Sequence, residues 1–185
     1  MTVRAAPLAT LALVAALVVP AAAVAEPFTI EASGSKSGRG EVRAIGDFQP
    51  ERNATLGAAI AVFGPPSVLA EGSQGVSCRT LWPAIGLRIL FVNLGGGSAC
   101  DPTLGKAQVA RAFGSNWRTG KGLRVGHPQR RLRRLYRGAT RHGRSWWLAS
   151  GINVFGAGNP YPVLRATMAN RRVRSFALQI GAAGD

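Results

Sequence analysis

A helix followed by three strands can be read twice in this chain, and that recurrence constrains its fold more than any other feature. The first helix is marked over 54–63. There Leu56, Ala59, Ile60 and Phe63 fall at i, i+3, i+4 and i+7 and make one apolar face. Asn53 precedes it as a cap, and Gly64-Pro65-Pro66 ends it. Strands are expected over 77–82, 86–93 and 106–113. The second helix opens at Gly126-His127-Pro128, with proline in its first turn, and runs to Arg137 before Gly138. Strands are expected over 145–150, 163–169 and 172–180, the last two as a hairpin around Asn170. Leu56 then matches Leu132, Gly64 matches Gly138 and Trp82 matches Trp146.

The expected class is α+β: two tandem αβββ units, with short helices packed on antiparallel sheet. The units span 47–121 and 122–185. Residues 26–46 precede them, with strand signals over 28–32 and 41–45 around a Gly/Ser/Lys stretch. They form either a loose hairpin or a flexible leader. Residues 1–25 are read as a signal peptide.

The helix ending in Phe63-Gly64-Pro65-Pro66 carries a resemblance, as does Gly122-Leu123-Arg124-Val125-Gly126 leading into a helix with Leu132 and Tyr136. With export, these features resemble the superfamily of the β-lactamase-inhibitor protein and the SmpA/OmlA outer-membrane-assembly lipoproteins. The resemblance spans Asp47 to Ile180. It implies non-catalytic units that bind proteins through the sheet. The chain departs from that pattern in showing one helix per unit and in lacking the lipoprotein cysteine. The same pattern also resembles secreted proteins of GC-rich bacteria.

The N-terminus carries the export signal. Arg4 gives a positive start, Leu8–Val19 is the most apolar stretch, and Pro20 and Ala23-Val24-Ala25 close the segment. That is the layout of a signal peptide cleaved after Ala25. An uncleaved anchor is the alternative, since the uncharged run from Ala5 to Ala25 is long enough to span a bilayer. Cleavage would place the protein in the secreted fraction or cell envelope. In that compartment Cys78 and Cys100 are expected to form a disulfide rather than stay as free thiols. Two cysteines and two histidines at irregular positions lack zinc spacing, so no metal and no cofactor are expected.

Charge is unevenly spread. The formal net charge is +15, and residues 102–184 contain sixteen Lys and Arg but no Asp or Glu. The second helix concentrates this. With Leu132 at the origin, Arg133, Arg137, Arg130, Arg134 and Arg131 fall at about 100°, 140°, 160°, 200° and 260°. One face is apolar and the other is arginine. Five like-charge pairs at i,i+3 or i,i+4 oppose the helix. Either the face is simply solvated, or it binds anions such as cell-wall polymer, acidic lipid headgroups or nucleic acid.

Catalytic groupings are not evident. A carboxylate pair would have to come from the first half alone, and Asp47 and Glu51 sit where acids favour a helix start. His127 reads as a cap-region residue and His142 as a turn residue. Ser33-Gly34-Ser35-Lys36 and the segment from Gly114 to Lys121 mimic catalytic and phosphate-loop motifs without their structural context. The remaining candidates are aromatic. Trp146 and Trp147 are neighbours on a strand and must point to opposite faces, and Phe155 and Tyr161 lie in the adjoining loop. These four make a candidate protein-binding patch, with Trp147 expected to face outward. The leading expectation is an exported, non-enzymatic binder of an extracytoplasmic protein through an open sheet face. The alternative is a binder of polyanionic surface through Arg130, Arg131, Arg133, Arg134 and Arg137.

Overall fold

The computed structural model describes residues 26–153 and 158–181. Their element order is β1 (Phe28–Ser33), β2 (Glu41–Ile45), α1 (Leu56–Phe63), β3 (Val68–Glu71), β4 (Ser77–Trp82), β5 (Leu87–Val92), β6 (Lys106–Ala112), β7 (Trp117–Thr119), α2 (Gln129–Leu135), β8 (Thr140–His142), β9 (Ser145–Ile152), β10 (Pro160–Ala169) and β11 (Arg172–Gln179). The signal-peptide segment 1–25 and Phe155 lie outside the described residues.

Alternation builds the main sheet. In β4, Cys78, Thr80 and Trp82 are buried while Arg79 is exposed. In β5, Leu87, Ile89 and Phe91 are buried while Arg88 is exposed. Period-two burial of this kind commits one face to the core and the other to water. Eight strands join in the order β3-β4-β5-β6-β11-β10-β9-β8, and every pairing within that sheet is antiparallel. Two four-strand meanders, β3 to β6 and β8 to β11, thus meet edge to edge at β6 and β11.

This corrects the expected α+β class with two αβββ units. The protein is mostly β, and its halves share one continuous eight-stranded sheet. The expectation missed β3, β7 and β8. β3 is exposed at all four positions, so no alternation marks it. β7 and β8 are three residues each, too short for a period to register. Residues 26–46 supply β1 and β2, which pair antiparallel. β7 adds to β1 in parallel, giving a second sheet, β2-β1-β7.

The core lies between this small sheet with the two helices and one face of the large sheet. Ile30, Ile45, Phe48, Leu56, Leu132, Leu164 and Phe176 are essentially inaccessible. An aromatic cluster organises one end. The Phe63 ring lies edge-on to Trp82 at 5.6 Å and to Phe48 at 6.2 Å, and Phe28 stacks on Trp117 at 4.8 Å. Both indole N–H groups are satisfied inside it: Trp82 donates to the Gly64 carbonyl at 2.8 Å and Trp117 to the Ile85 carbonyl at 2.6 Å. Such partners are what permit a buried indole.

Local details differ from expectation for physical reasons. Thr55, not Asn53, caps α1, because its hydroxyl accepts the Ala58 N–H at 3.2 Å. Asn53 acts one step earlier, its side-chain oxygen accepting the Thr55 N–H at 3.1 Å. α2 ends at Leu135, so Arg137 lies beyond the helix. Cys78 and Cys100 are disulfide-bonded with Cα atoms 5.1 Å apart, within normal bridging reach. The bond holds the loop after β5 against β4. That loop in turn docks α1, since the Gly57 N–H donates to the Pro102 carbonyl at 2.8 Å and the Leu56 N–H to the Gly105 carbonyl at 3.3 Å.

Candidate anion-binding surfaces

α2 is fixed from two sides. Leu132 is fully buried. At the helix start, the Gln129 N–H donates to the Arg171 carbonyl at 2.8 Å, and the Val173 N–H donates to the His127 carbonyl at 2.9 Å. These bonds tie the helix to the β10–β11 hairpin and turn its arginines to solvent. Arg130, Arg133, Arg134 and Arg137 are exposed and Arg131 is half-buried. With Arg137 outside the helix, three like-charge pairs remain within it: Arg130 with Arg133, Arg130 with Arg134, and Arg131 with Arg134. Among the described residues, none of the five arginines has a carboxylate partner.

Two depressions flank this arginine face. One, of about 520 Å³, is lined by His127, Pro128, Arg130, Arg131 and Arg134. The other, of about 630 Å³, is lined by Pro128, Gln129, Arg130, Arg133, Arg141 and Arg171. Arg131 Nε is buried with no hydrogen-bond partner. A buried guanidinium N–H left unpaired is costly, and it lies on a residue lining the first depression. His127 borders the same depression, and its Nδ1 accepts the Arg124 N–H at 3.2 Å. Burial first, then the Arg124 charge, holds the His127 pKa below its ordinary value.

Of the four aromatic candidates, Trp146, Trp147 and Tyr161 lie among the described residues, and the two tryptophans sit on opposite faces of the sheet. Trp146 pairs with Ala166 and packs against the core. Tyr161 also packs against the core, beside Gly151, where a Cβ would meet its ring at 2.9 Å. Trp147 pairs with Arg165 on the opposite face, and the His142 ring stacks on it at 3.9 Å. Phe155 is outside the described residues.

Sequence reasoning missed a row of residues on the solvent face of the large sheet. Strand register runs from Leu81 to Arg88, Arg111, Ala177, Arg165, Trp147 and Thr140 across seven strands. Beside it runs a row of hydroxyls, Ser175, Thr167 and Ser145. A signal for each arginine was present, since Arg88 sits between the buried Leu87 and Ile89. Their convergence needs three long-range pairings that no local pattern carries.

The fold and these surfaces define a β-rich, disulfide-bonded protein with an arginine-lined exterior. Among its described residues no helix is long and apolar enough to cross a membrane, and no group of three or more His, Cys, Asp or Glu is placed to hold a metal. No family model matches the chain, and no curated protein matches it. Among solved structures it is similar to an extracellular protein containing a SCP domain from Bacillus anthracis str. Ames. The identity is 8%, the TM-score is 0.39, and the match covers 69% of this chain and 43% of that one. The chain therefore spans less than half the length of that protein, and a likeness this loose carries nothing about function.

Proposed function

We propose that this chain is an exported, non-enzymatic module that binds anionic polymer or an anionic surface through the arginine face of α2. The observation that carries the reading is the unopposed charge. Four arginines form three like-charge pairs inside a seven-residue helix, Arg137 follows just beyond it, and none of the five has a carboxylate partner among the described residues. Such an arrangement opposes helix stability, and polyanion binding is the condition that reverses the sign of its energy. Export rests on the N-terminal segment, with cleavage after Ala25, and accords with the disulfide.

Docking of an extracytoplasmic protein through an aromatic anchor is the weaker reading. Trp146 and Tyr161 pack against the core, which leaves Trp147, stacked on His142 and beside Arg165, as the aromatic candidate on the solvent face among the described residues. The test is retention on a sulfated-polysaccharide matrix across a salt series. Strong retention with a steep logarithmic salt dependence supports the proposal. Retention no stronger than that of a neutral protein overturns it.

A further inference from the structure

The geometry points to a second anion site, separate from α2: a compact seat for one phosphate- or sulfate-type oxyanion on the solvent face of the large sheet. It occupies a depression of about 380 Å³ lined by Arg88, Leu90, Val109, Arg111, Ser145, Arg165, Thr167 and Ala177. Arg88 stands directly opposite Arg111 on adjoining strands. Arg165 stands one strand beyond Ala177 in the same row. Neighbouring strands lie about 4.8 Å apart, so Arg111 and Arg165 flank a gap of about 10 Å whose floor is a methyl group. Long side chains from both sides can meet over that floor. An alanine between two arginines leaves room for a tetrahedral group.

The donors are free to face it. The Arg111 Nε–H donates to Ser175 Oγ at 3.2 Å, which orients the guanidinium and leaves its terminal nitrogens without an acceptor among the described residues. Arg88 and Arg165 have neither a hydrogen-bond acceptor nor an ion-pair partner among those residues. Thr167 and Ser145 add hydroxyls along one wall. Three guanidinium groups with no acid to neutralise them repel one another. A bound oxyanion relieves that repulsion and takes forked, charge-assisted hydrogen bonds. The site also straddles the junction of the two meanders: Arg88 on β5 and Arg165 on β10 each lie one strand from the β6–β11 seam.

The test measures the thermal midpoint of the full chain, with inorganic phosphate or sulfate added against chloride at matched ionic strength. Preferential binding to the folded state raises the midpoint as ligand concentration passes its Kd. The expected result is a rise with phosphate and sulfate, none with acetate, and loss of the rise in R165Q. R165Q removes no side-chain hydrogen bond or ion pair formed among the described residues, so it is expected to fold, and R111K serves as a second variant that keeps the charge but loses the fork. The same rise must survive in a protein carrying R130Q, R133Q, R134Q and R137Q, which separates this site from the α2 proposal. A short polyphosphate acting at tenfold lower concentration than inorganic phosphate, through Arg165, assigns the group to a polymer. Equal potency assigns it to the free ion. A rise that is equal with acetate, unchanged in R165Q, or lost in the α2 variant overturns the site.

Discussion

Arg88 on β5 lies directly across from Arg111 on β6, two positive side chains with no carboxylate partner among the described residues at one register position of an antiparallel pair. Like charges so placed destabilise a sheet, and opposite charges stabilise it, by about 0.2–1 kcal/mol. Arg88→Glu is therefore expected to raise stability by that amount in low salt, read from the denaturant midpoint. The gain should shrink at 1 M salt, where screening acts within about 3 Å. A loss of stability at low salt would mean that the two guanidinium groups do not face each other.

The disulfide should matter both globally and locally. Its closed loop spans a sequence separation of 22, for which chain-entropy reasoning gives about 3 kcal/mol. The Cys78→Ala, Cys100→Ala double variant is expected to lose that much. Because the loop carrying Cys100 also docks α1 through Pro102 and Gly105, amide exchange in α1 should quicken beyond the global change. Uniform loosening instead would uncouple the helix from the bond.

What could be read in the sequence followed from local period. β2 and β4 fall at the expected bounds, and β5, β6 and β11 within a residue or two, because alternation or an apolar run marks them directly. The arginine face of α2 was legible for the same reason, as an angular pattern about Leu132. What escaped depends on distant pairing. Nothing near Ala112 announces Phe176 as its partner, yet that pairing fuses the halves into one sheet. The aromatic cluster around Phe63 also brings together residues from five separate segments. The Arg88, Arg111 and Arg165 row escaped because each arginine, taken alone, is an ordinary outward strand residue.

The two adjacent tryptophans should respond differently to truncation. Trp146 packs against the core, so Trp146→Ala should cost about 3 kcal/mol. Trp147 lies on the other face, where its described ring partner is His142. Trp147→Ala should cost about 1 kcal/mol, the worth of one stacked pair. Equal losses in urea unfolding would place both rings in one packed environment.

The α2 face makes a quantitative salt prediction. Each phosphate-type contact contributes about 0.7–0.9 to the slope of log affinity against log salt. Replacing Arg130, Arg133, Arg134 and Arg137 with Gln should flatten the slope on a polyanion by about 3. Stability should hold or rise slightly, because two of the three like-charge pairs in the helix lose both members and the third loses one. An unchanged slope would leave the face as solvated surface only.

His127 supplies a pH handle on the same surface. Burial, and then the Arg124 charge, hold its folded pKa below the ordinary 6.5. The sign follows from which state takes the proton first. Above the ordinary value both states are neutral, and His127 contributes no pH dependence. As pH falls through 6.5 the unfolded chain is protonated first, so folded stability declines until the folded pKa is passed. His127→Gln should flatten that decline. Arg130, Arg131 and Arg134 line the depression beside the imidazole, so a polyanion seated there brings negative charge to the ring and favours its protonated form. The His127 titration, followed by proton NMR, should move upward when a soluble polyanion is added, and binding should tighten as pH drops below 6.5. A titration that stays put while the polyanion remains bound would show that the ligand sits away from this depression.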